Sequence, residues 1–190
     1  MLAPKQIYLI RHGETEWSKL GKHTGRTDLP LTGKGKEEAL LLKQYPFPSF
    51  AHVFVSPLKR AQETCRLAGY REDGVIKEAL YEWDYGQYEG LTSREIHQID
   101  PNWTIFSHGA PGGESLDQIT LRCKKFLEFI APLEGPIALF SSGHILRALT
   151  AVYLGQPLLF GQHIVLSTGM VSILGDEHQT PAILKWNTST

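Results

Sequence analysis

The chain has 190 residues with a formal net charge of −1, and 42% of its residues are hydrophobic. This length suffices for a well-buried core, and we expect a single domain over residues 1–190. A nearly neutral chain has no overall field that would attract nucleic acid or an anionic membrane, so neither is expected as a partner. Any bound anion must therefore be held by a local group of cations.

The N-terminal sequence and the cysteines predict a cytoplasmic protein. The first apolar run, residues 7–10, is too short for a signal peptide or a membrane-spanning helix. Cys65 and Cys123 are the only cysteines, and neither belongs to a CxxC pair. We expect them to be small side chains on helix faces in a reducing compartment, rather than a disulfide or a zinc site. No interface pattern is recognisable, so the sequence leaves the oligomeric state open.

Strand-like and helix-like segments alternate along the chain. Apolar runs predict buried strands, and apolar residues at helical spacing between capping residues predict helices. The predicted strands are at 7–10, at 52–55, near Val75, and at 137–140, 171–174 and 182–186. The predicted helices are at 34–44, capped by Thr32; after the second strand, with Ser56 as N-cap, Pro57 in the first position and Gly69 as the stop; and at 145–154. Thr92 with Glu95 forms a capping box, and Ser115 with Gln118 forms a second box that opens a helix reaching Ile130.

This alternation predicts an α/β fold in which helices cover both faces of a mostly parallel sheet. In such sheets, ligands bind beyond the carboxyl ends of the strands. Arg11 and His12 directly follow the first strand, and the sequence SSGH follows the strand that ends at Phe140. Both segments therefore lie where a binding site is expected.

Arg11 and His12 are the first candidates for a functional site. Taken alone, the pair is better explained by a surface arginine bound to a carboxylate and a histidine that fills a loop. Arg60 favours a functional role, because it lies in the first turns of a helix that follows another strand. A helix N-terminus attracts anions, and a planar guanidinium suits phosphate oxygens.

Two loops add further candidates. Glu82 lies among aromatic residues in LYEWDYGQYEG, where burial can raise the pKa of a carboxyl group, although an ordinary loop acid is the alternative. In SKLGKHTGRT, the hydroxyls of Ser18 and Thr24 and the amide of Gly25 are potential donors to an oxyanion, although such loops often only turn the chain.

Together these residues predict phosphoryl transfer. A neutral imidazole can attack phosphorus, two guanidinium groups can neutralise the phosphoryl oxygens, and a protonated carboxyl can supply the leaving-group proton. This chemistry requires no metal and no other cofactor.

The motifs LIRHGETEW, HTGRTDLPLTGKG, SPLKRAQET, EWDYGQYEG, PGGES and LRAL resemble the histidine phosphatase superfamily, which includes the phosphoglycerate mutases. The resemblance spans nearly the whole chain and implies a three-layer α/β/α sandwich. It implies that His12 is the phosphorylated nucleophile, that Arg11 and Arg60 clamp the phosphate, and that Glu82 is the proton donor. It also implies that Ser18 and Thr24 lie in the wall of the pocket and that Tyr85 lies near the substrate.

The sequence departs from the family at the late strand, where the family usually has a second catalytic histidine. By alignment on Gly143 and LRAL, Ser142 occupies the position of that histidine, and His144 matches an additional histidine of the phosphatases. Either His144 or the Ser142 hydroxyl contacts the phosphate and activity survives, or the site binds phosphate but turns it over poorly. Packing or capping is the alternative role for His144. Loss of a charged transition-state donor commonly costs about two to three orders of magnitude in rate.

The stretches EWSKLGKHTGRTDLPLT and EWDYGQYEGLTSREI are similar to the branch with sedoheptulose bisphosphatase and small acid phosphatases. The segment LTSREIHQIDPNWTIF is shorter than its counterpart in the mutases and has Arg94 as its only basic side chain other than histidine. We therefore predict a phosphatase for a small phosphorylated metabolite, such as a sugar phosphate or bisphosphate. A mutase and a weakened phospho-ligand binder are the alternatives, and a metal site is disfavoured because the histidines lack ligand-like spacing.

Overall fold

The computed structural model describes residues 5–70 and 74–189, and its centre is a six-stranded sheet. In chain order the strands are β1 (Ile7–Arg11), β2 (His52–Val55), β3 (Gly74–Ile76), β4 (Ile137–Ser141), β5 (Val171–Glu177) and β6 (Thr180–Thr188). All of the predicted strands fall within these bounds.

The sheet has the order β3-β2-β4-β1-β5-β6. The first four strands in this order pair in parallel, whereas β5 pairs antiparallel with β1, and β6 antiparallel with β5. The predicted α/β class with a mostly parallel sheet is therefore confirmed.

Helices cover both faces of the sheet. The helices are α1 (Glu16–Lys19), α2 (Gly33–Leu41), α3 (Lys59–Leu67), α4 (Ser93–Ile96), α5 (Ile105–His108), α6 (Leu116–Ile130) and α7 (Gly143–Tyr153), and short 3-10 turns lie at Leu42–Gln44, Glu78–Leu80, Gly86–Tyr88 and Leu158–His163.

Side chains of the strands alternate between two apolar layers. Leu9 packs in the cluster that contains residues of α6 and α7, and Ile10 packs in the cluster that contains residues of α3. Because neighbouring strand residues point to opposite faces, a continuous apolar run such as β1 can fill both layers at once. Cys65 and Cys123 are buried on α3 and α6, as expected for residues on helix faces.

Most of the predicted helix ends are confirmed by their capping contacts. Thr32 accepts a hydrogen bond from the amide of Gly35, and Thr92 and Ser115 each form a complete capping box. Gly69 follows the last turn of α3 with φ = +102°, a backbone conformation that favours glycine. Helix α7 begins at Gly143, two residues earlier than predicted.

The predicted start of α3 is wrong. Leu58, not Ser56, is the N-cap residue, so Pro57 lies outside the helix. The amide of Ser56 donates to the carbonyl of Phe140 at 2.9 Å, which continues the pairing of β2 with β4. A carboxylate from a distant loop takes over the capping role, because the amide of Lys59 donates to Asp28 Oδ1 at 2.8 Å.

The carboxyl ends of β1 and β4 lie side by side. Arg11 pairs with Ser141 in the sheet, and the amide of His12 donates to the Ser141 carbonyl at 2.9 Å. The two segments that the sequence places after strands are therefore neighbours at one edge. Across residues 5–70 and 74–189, no helix has the length and apolar character needed to cross a bilayer.

Candidate active site

A cavity of about 160 Å³ opens where β1 and β4 end. Eight of the predicted site residues line it, namely Arg11, His12, Ser18, Thr24, Glu82, Tyr85, Gly143 and His144. Four lining residues were not predicted as site residues: Gly21, Lys22, His23 and Arg147. The remaining predicted residues, Gly25, Arg60 and Ser142, are buried in the surrounding structure.

The imidazole of His12 is held in one orientation. Its Nδ1 lies 2.7 Å from the carbonyl oxygen of Gly13, and a carbonyl only accepts hydrogen bonds, so Nδ1 carries the proton. Burial holds the pKa of His12 well below its usual value of 6.5, with further lowering by Arg60 and Arg11. The ring is therefore neutral at physiological pH and keeps the lone pair of Nε2 for reaction.

The Arg11 guanidinium packs against the first residue of α7. A Cβ atom placed on Gly143 would lie 3.2 Å from Arg11 Cζ, so a larger residue here would require the guanidinium to shift by a few tenths of an ångström. Arg11 donates one hydrogen bond to the carbonyl of Leu166, and its buried Nε has no hydrogen-bond partner. Burial lowers the pKa of Arg11 below its ordinary value, while the nearby Glu82 raises it.

Arg60 is buried and held by backbone carbonyls. Its Nη1 donates to Thr27 O at 2.9 Å, and its Nη2 donates to Thr24 O and Gly25 O, each at 3.0 Å. Its Nε is buried without a hydrogen-bond partner. The guanidinium is thus fixed from one side, while its Nε–H group is not engaged.

The expectation that the Gly25 amide binds an oxyanion is wrong. This amide donates to both carboxylate oxygens of Glu89, at 2.9 and 3.0 Å, and is already satisfied. The hydroxyls of Ser18 and Thr24 line the cavity but also make local hydrogen bonds, to the carbonyls of Thr15 and Lys22. Sequence reasoning could not find the bonds between the Gly25 amide and Glu89, because these two residues are 64 positions apart.

Glu82 bridges its own loop and the start of α7. Its Oε1 accepts from the amides of Trp83 at 2.8 Å and Ile145 at 2.7 Å, and its Oε2 accepts from the amide of His144 at 2.9 Å. The first amides of α7 would otherwise lack acceptors, and they stabilise a carboxylate placed there. Glu82 is buried, as the aromatic sequence predicted, but its carboxylate oxygens have polar partners.

Tyr85 and His144 form a second hydrogen-bonded pair beside the cavity. The Tyr85 hydroxyl contacts His144 Nδ1 at a short distance. Burial raises the pKa of Tyr85 well above 10, so its hydroxyl keeps its proton and can donate to Nδ1. Burial also holds the pKa of His144 well below 6.5, with added lowering by Arg147, His23 and Arg11. His144 is therefore a neutral imidazole that presents an Nε2–H donor.

Ser142 is the N-cap residue of α7, yet its hydroxyl makes no capping bond. Its Oγ is buried without a hydrogen-bond partner. The amides of His144 and Ile145, which would donate to a capping side chain, donate to Glu82 instead. Ser142 therefore stands next to the cavity-lining residue Gly143 with an unsatisfied hydroxyl.

The residues missed by the sequence analysis add charge and aromatic surface to the cavity. Arg147 donates from Nε to Gly161 O at 2.8 Å and lies over the ring of Phe106. His23 packs beside Tyr85, with ring centroids 5.0 Å apart. Both residues lie within motifs quoted above, HTGRT and LRAL, but spacing alone did not mark them. Within the described ranges, His, Cys, Asp and Glu side chains form no cluster of three or more suited to a metal ion.

Known proteins with similar sequences include phosphatases and mutases. An acid phosphatase of Mycobacterium tuberculosis is 37% identical over 91% of this chain and 87% of that protein. Sedoheptulose 1,7-bisphosphatase of Saccharomyces cerevisiae is 34% identical over 81% of this chain and 69% of its own length. A 2,3-bisphosphoglycerate-dependent phosphoglycerate mutase of Gloeobacter violaceus is 38% identical over 75% of this chain and 73% of that protein.

The fold is also similar to solved structures. The product of a Mycobacterium tuberculosis open reading frame superposes with a TM-score of 0.93 at 33% identity, covering 98% of this chain and 99% of the other. Residues 7–189 match the family model of the histidine phosphatase superfamily, branch 1. The family predicted from the motifs is confirmed, and the chain belongs to branch 1 of the histidine phosphatase superfamily.

Proposed function

We propose that this protein is a metal-independent phosphomonoesterase that hydrolyses a small phosphorylated metabolite through a phosphohistidine on His12. The observation that carries this proposal is the neutral His12 ring, with Nδ1 protonated by its bond to Gly13, beside two buried guanidinium groups. A nucleophile that is uncharged and a pair of cations for the phosphoryl oxygens are what such a reaction requires. The histidine phosphatase motifs of the sequence and the phosphatases among its relatives also support the proposal.

The unengaged N–H groups support phosphate binding at this site. Arg11 and Arg60 each have a buried Nε without a hydrogen-bond partner. A buried donor without an acceptor is costly, by about 1–3 kcal/mol for each group, and an oxyanion between the two guanidinium groups would satisfy both. The neutral His144 would add an Nε2–H donor.

In the first proposed step, the Nε2 lone pair of His12 attacks phosphorus and the ester P–O bond breaks. Glu82 gives a proton to the leaving oxygen, which is the role that the family resemblance implies for it, and is left as the carboxylate that the amides of Trp83, His144 and Ile145 stabilise. In the second step, water attacks phosphorus, the P–N bond to His12 breaks, and the attacking water gives a proton to the Glu82 carboxylate. Inorganic phosphate leaves, and His12 returns to its neutral form.

We further propose that the substrate is a sugar phosphate or bisphosphate and that the protein acts in the cytoplasm. Lys22 and Arg147 line the cavity in addition to Arg11, so its wall carries more positive charge than a single phosphate requires. Ser18 and Thr24 supply hydroxyls suited to a polar leaving group. This combination favours a polyhydroxylated, multiply anionic molecule.

A phosphoglycerate mutase is the second candidate, because several relatives carry that name. A mutase must hold the substrate carboxylate and shield the phosphoenzyme from water. The segment between Gly90 and Gly109 contains Arg94 as its only Lys or Arg, and Arg94 is exposed and outside the cavity wall. This arrangement favours hydrolysis. The unsatisfied Ser142 hydroxyl, in place of a histidine, motivates the third candidate, a phospho-ligand binder with weak turnover.

Phosphate release from sugar phosphates and bisphosphates, with and without chelator, tests the proposal. We expect release that survives chelator and is abolished in His12→Asn. Incubation with a phosphoglycerate separates the alternatives, because a mutase returns the isomer whereas a phosphatase liberates phosphate. Binding of inorganic phosphate without release from any ester would favour the binder.

A further inference from the structure

The loop at residues 24–27 is bonded on two sides by groups of opposite charge. Its carbonyls at Thr24, Gly25 and Thr27 accept hydrogen bonds from the Arg60 guanidinium. Its amides at Gly25 and Thr27 donate to the Glu89 carboxylate, at 2.9 and 3.1 Å to Oε1 and, from Gly25, at 3.0 Å to Oε2. The same short backbone therefore connects Glu89 to Arg60.

The loop has little freedom to shift against these partners. A Cβ atom on Gly25 would lie 2.5 Å from Trp83 O, 2.7 Å from Glu89 Oε2 and 2.9 Å from Tyr85 Cδ2. Glu89 itself is fixed because it directly follows the 3-10 turn Gly86–Tyr88, and the amide of the next residue, Gly90, donates to His23 O at 2.9 Å. The carboxylate is thus presented to the loop from a constrained backbone.

We propose that Glu89 is a positioning residue for Arg60: it anchors the backbone loop whose carbonyls hold the Arg60 guanidinium. The inference rests on the proposed function, in which Arg60 neutralises phosphoryl oxygens. Glu89 does not touch the substrate in this role. It fixes two amides, and the amides fix the adjacent carbonyls. Those carbonyls hold both terminal nitrogens of Arg60 and leave its Nε–H group without a hydrogen-bond partner.

Loss of the Glu89 carboxylate should release this arrangement. The amides of Gly25 and Thr27 would lose their acceptor, and buried amides without acceptors favour movement toward other partners. The carbonyls move with them, because amide and carbonyl groups share rigid peptide planes. A displacement of about 1 Å in a group that contacts the reacting centre can reduce rate by on the order of 100-fold.

Three variants test the inference. The readouts are the affinity for inorganic phosphate and kcat/KM for a phosphomonoester that the wild type hydrolyses. Glu89→Ala should weaken both by roughly 10- to 100-fold. Glu89→Gln keeps one oxygen acceptor, at the Oε1 position that both amides reach, and should recover most of the loss. Glu63→Ala is the matched control, since Glu63 lies on the same helix as Arg60 and forms ion pairs with the surface residues Lys36 and Arg66.

A double-mutant cycle separates positioning from a general structural role. In an Arg60→Ala background, Glu89→Ala should change phosphate affinity and kcat/KM by less than about twofold, because its effect passes through Arg60. An equal loss in both backgrounds, or wild-type values for Glu89→Ala, would overturn the inference. Should Glu89→Ala not fold, Glu89→Asp is used in the same cycle, since its shorter side chain reaches the two amides less well.

Failure of the proposed function has a different signature. A wild-type protein that neither binds inorganic phosphate nor releases it from any ester overturns that function, and the inference with it. If the wild type binds inorganic phosphate or releases it from an ester, and Glu89→Ala has the same phosphate affinity and kcat/KM, the inference about Glu89 is overturned while the proposed function stands.

Discussion

His12 Nδ1 donates to the carbonyl oxygen of the next residue, Gly13, at 2.7 Å, and this bond determines which ring nitrogen can react. Because Nδ1 holds the proton, Nε2 is the basic nitrogen of the neutral ring. Burial and the two neighbouring guanidinium groups disfavour a second proton, which keeps the pKa of His12 well below 6.5. In the mechanism that we propose, His12 can therefore attack phosphorus without deprotonation by a separate base.

This relationship predicts that His12 stays neutral in the mildly acidic range. Long-range proton–nitrogen NMR spectra of the histidine rings, assigned with His12→Asn, should show His12 as the Nδ1-protonated tautomer at pH 6. Histidines in water titrate near pH 6.5. A His12 ring that takes up its second proton near that value, or that carries its single proton on Nε2, would contradict the assigned role.

Replacement of Tyr85 by phenylalanine should impair both activity and stability. The ring is kept, but the buried Nδ1 of His144 loses its hydrogen bond from the Tyr85 hydroxyl. An unsatisfied buried group costs about 1–3 kcal/mol, and loss of one oriented neutral hydrogen bond should lower kcat/KM about fivefold. Urea denaturation and steady-state kinetics measure the two effects. Tyr153→Phe, which removes an exposed hydroxyl bond to Asp176, is the control and should leave kcat/KM unchanged.

Ser142→His should increase phosphatase turnover at mildly acidic pH. Ser142 adjoins the cavity wall, and its hydroxyl has no hydrogen-bond partner to lose. A histidine there would add a donor that can become charged, and one such donor changes kcat by up to about two orders of magnitude. Ser142→Ala is the matched control and should not show this increase, because it adds no donor. Unchanged or reduced turnover in Ser142→His would count against the position assigned to this residue.

His23 predicts a loss of stability on acidification. Burial, with a smaller contribution from His97, lowers the pKa of His23 from 6.5 to about 4 in the folded protein. The unfolded chain thus binds more protons between these two values, and stability falls as pH falls from 6.5 toward 4. This one residue should account for about 2 kcal/mol of unfolding free energy between pH 7 and 4.5.

Urea denaturation at pH 7 and 4.5 measures this effect in His23→Asn, which should show a smaller pH dependence by about that amount. His178→Asn is the matched control, because the His178 side chain is 93% exposed and its replacement should leave the pH dependence as it is. An equal pH dependence in the wild type and His23→Asn would contradict the contribution assigned to His23.

Local signals in the sequence were sufficient for much of the fold. The apolar run of β1 had to be buried on both faces, and the polar residues Arg11 and His12 at its end had to lie at the carboxyl edge of the sheet. The capping boxes at Thr92 and Ser115 are contained within four residues each, so their geometry follows from local chemistry.

Contacts between distant segments were not accessible in the same way. Asp28 caps α3 from 31 residues away, which displaced the predicted cap at Ser56. Glu82 caps α7 from 62 residues away, which leaves Ser142 without its usual bond. Glu89 occupies the Gly25 amide that the sequence assigned to an oxyanion. In each case a charged side chain outcompetes a local donor or acceptor, because hydrogen bonds to charged groups are the stronger ones.

The central claim is that Nε2 of His12 carries the phosphoryl group during turnover. A rapid alkaline quench with a substrate labelled in its phosphate, followed by peptide mapping, measures this directly in the wild type and in His12→Asn. We expect an acid-labile, alkali-stable label on Nε2 of His12 in the wild type, and neither label nor released phosphate in the variant. Phosphate release that persists in His12→Asn, or a label found on His144 or any other residue, would contradict the central claim.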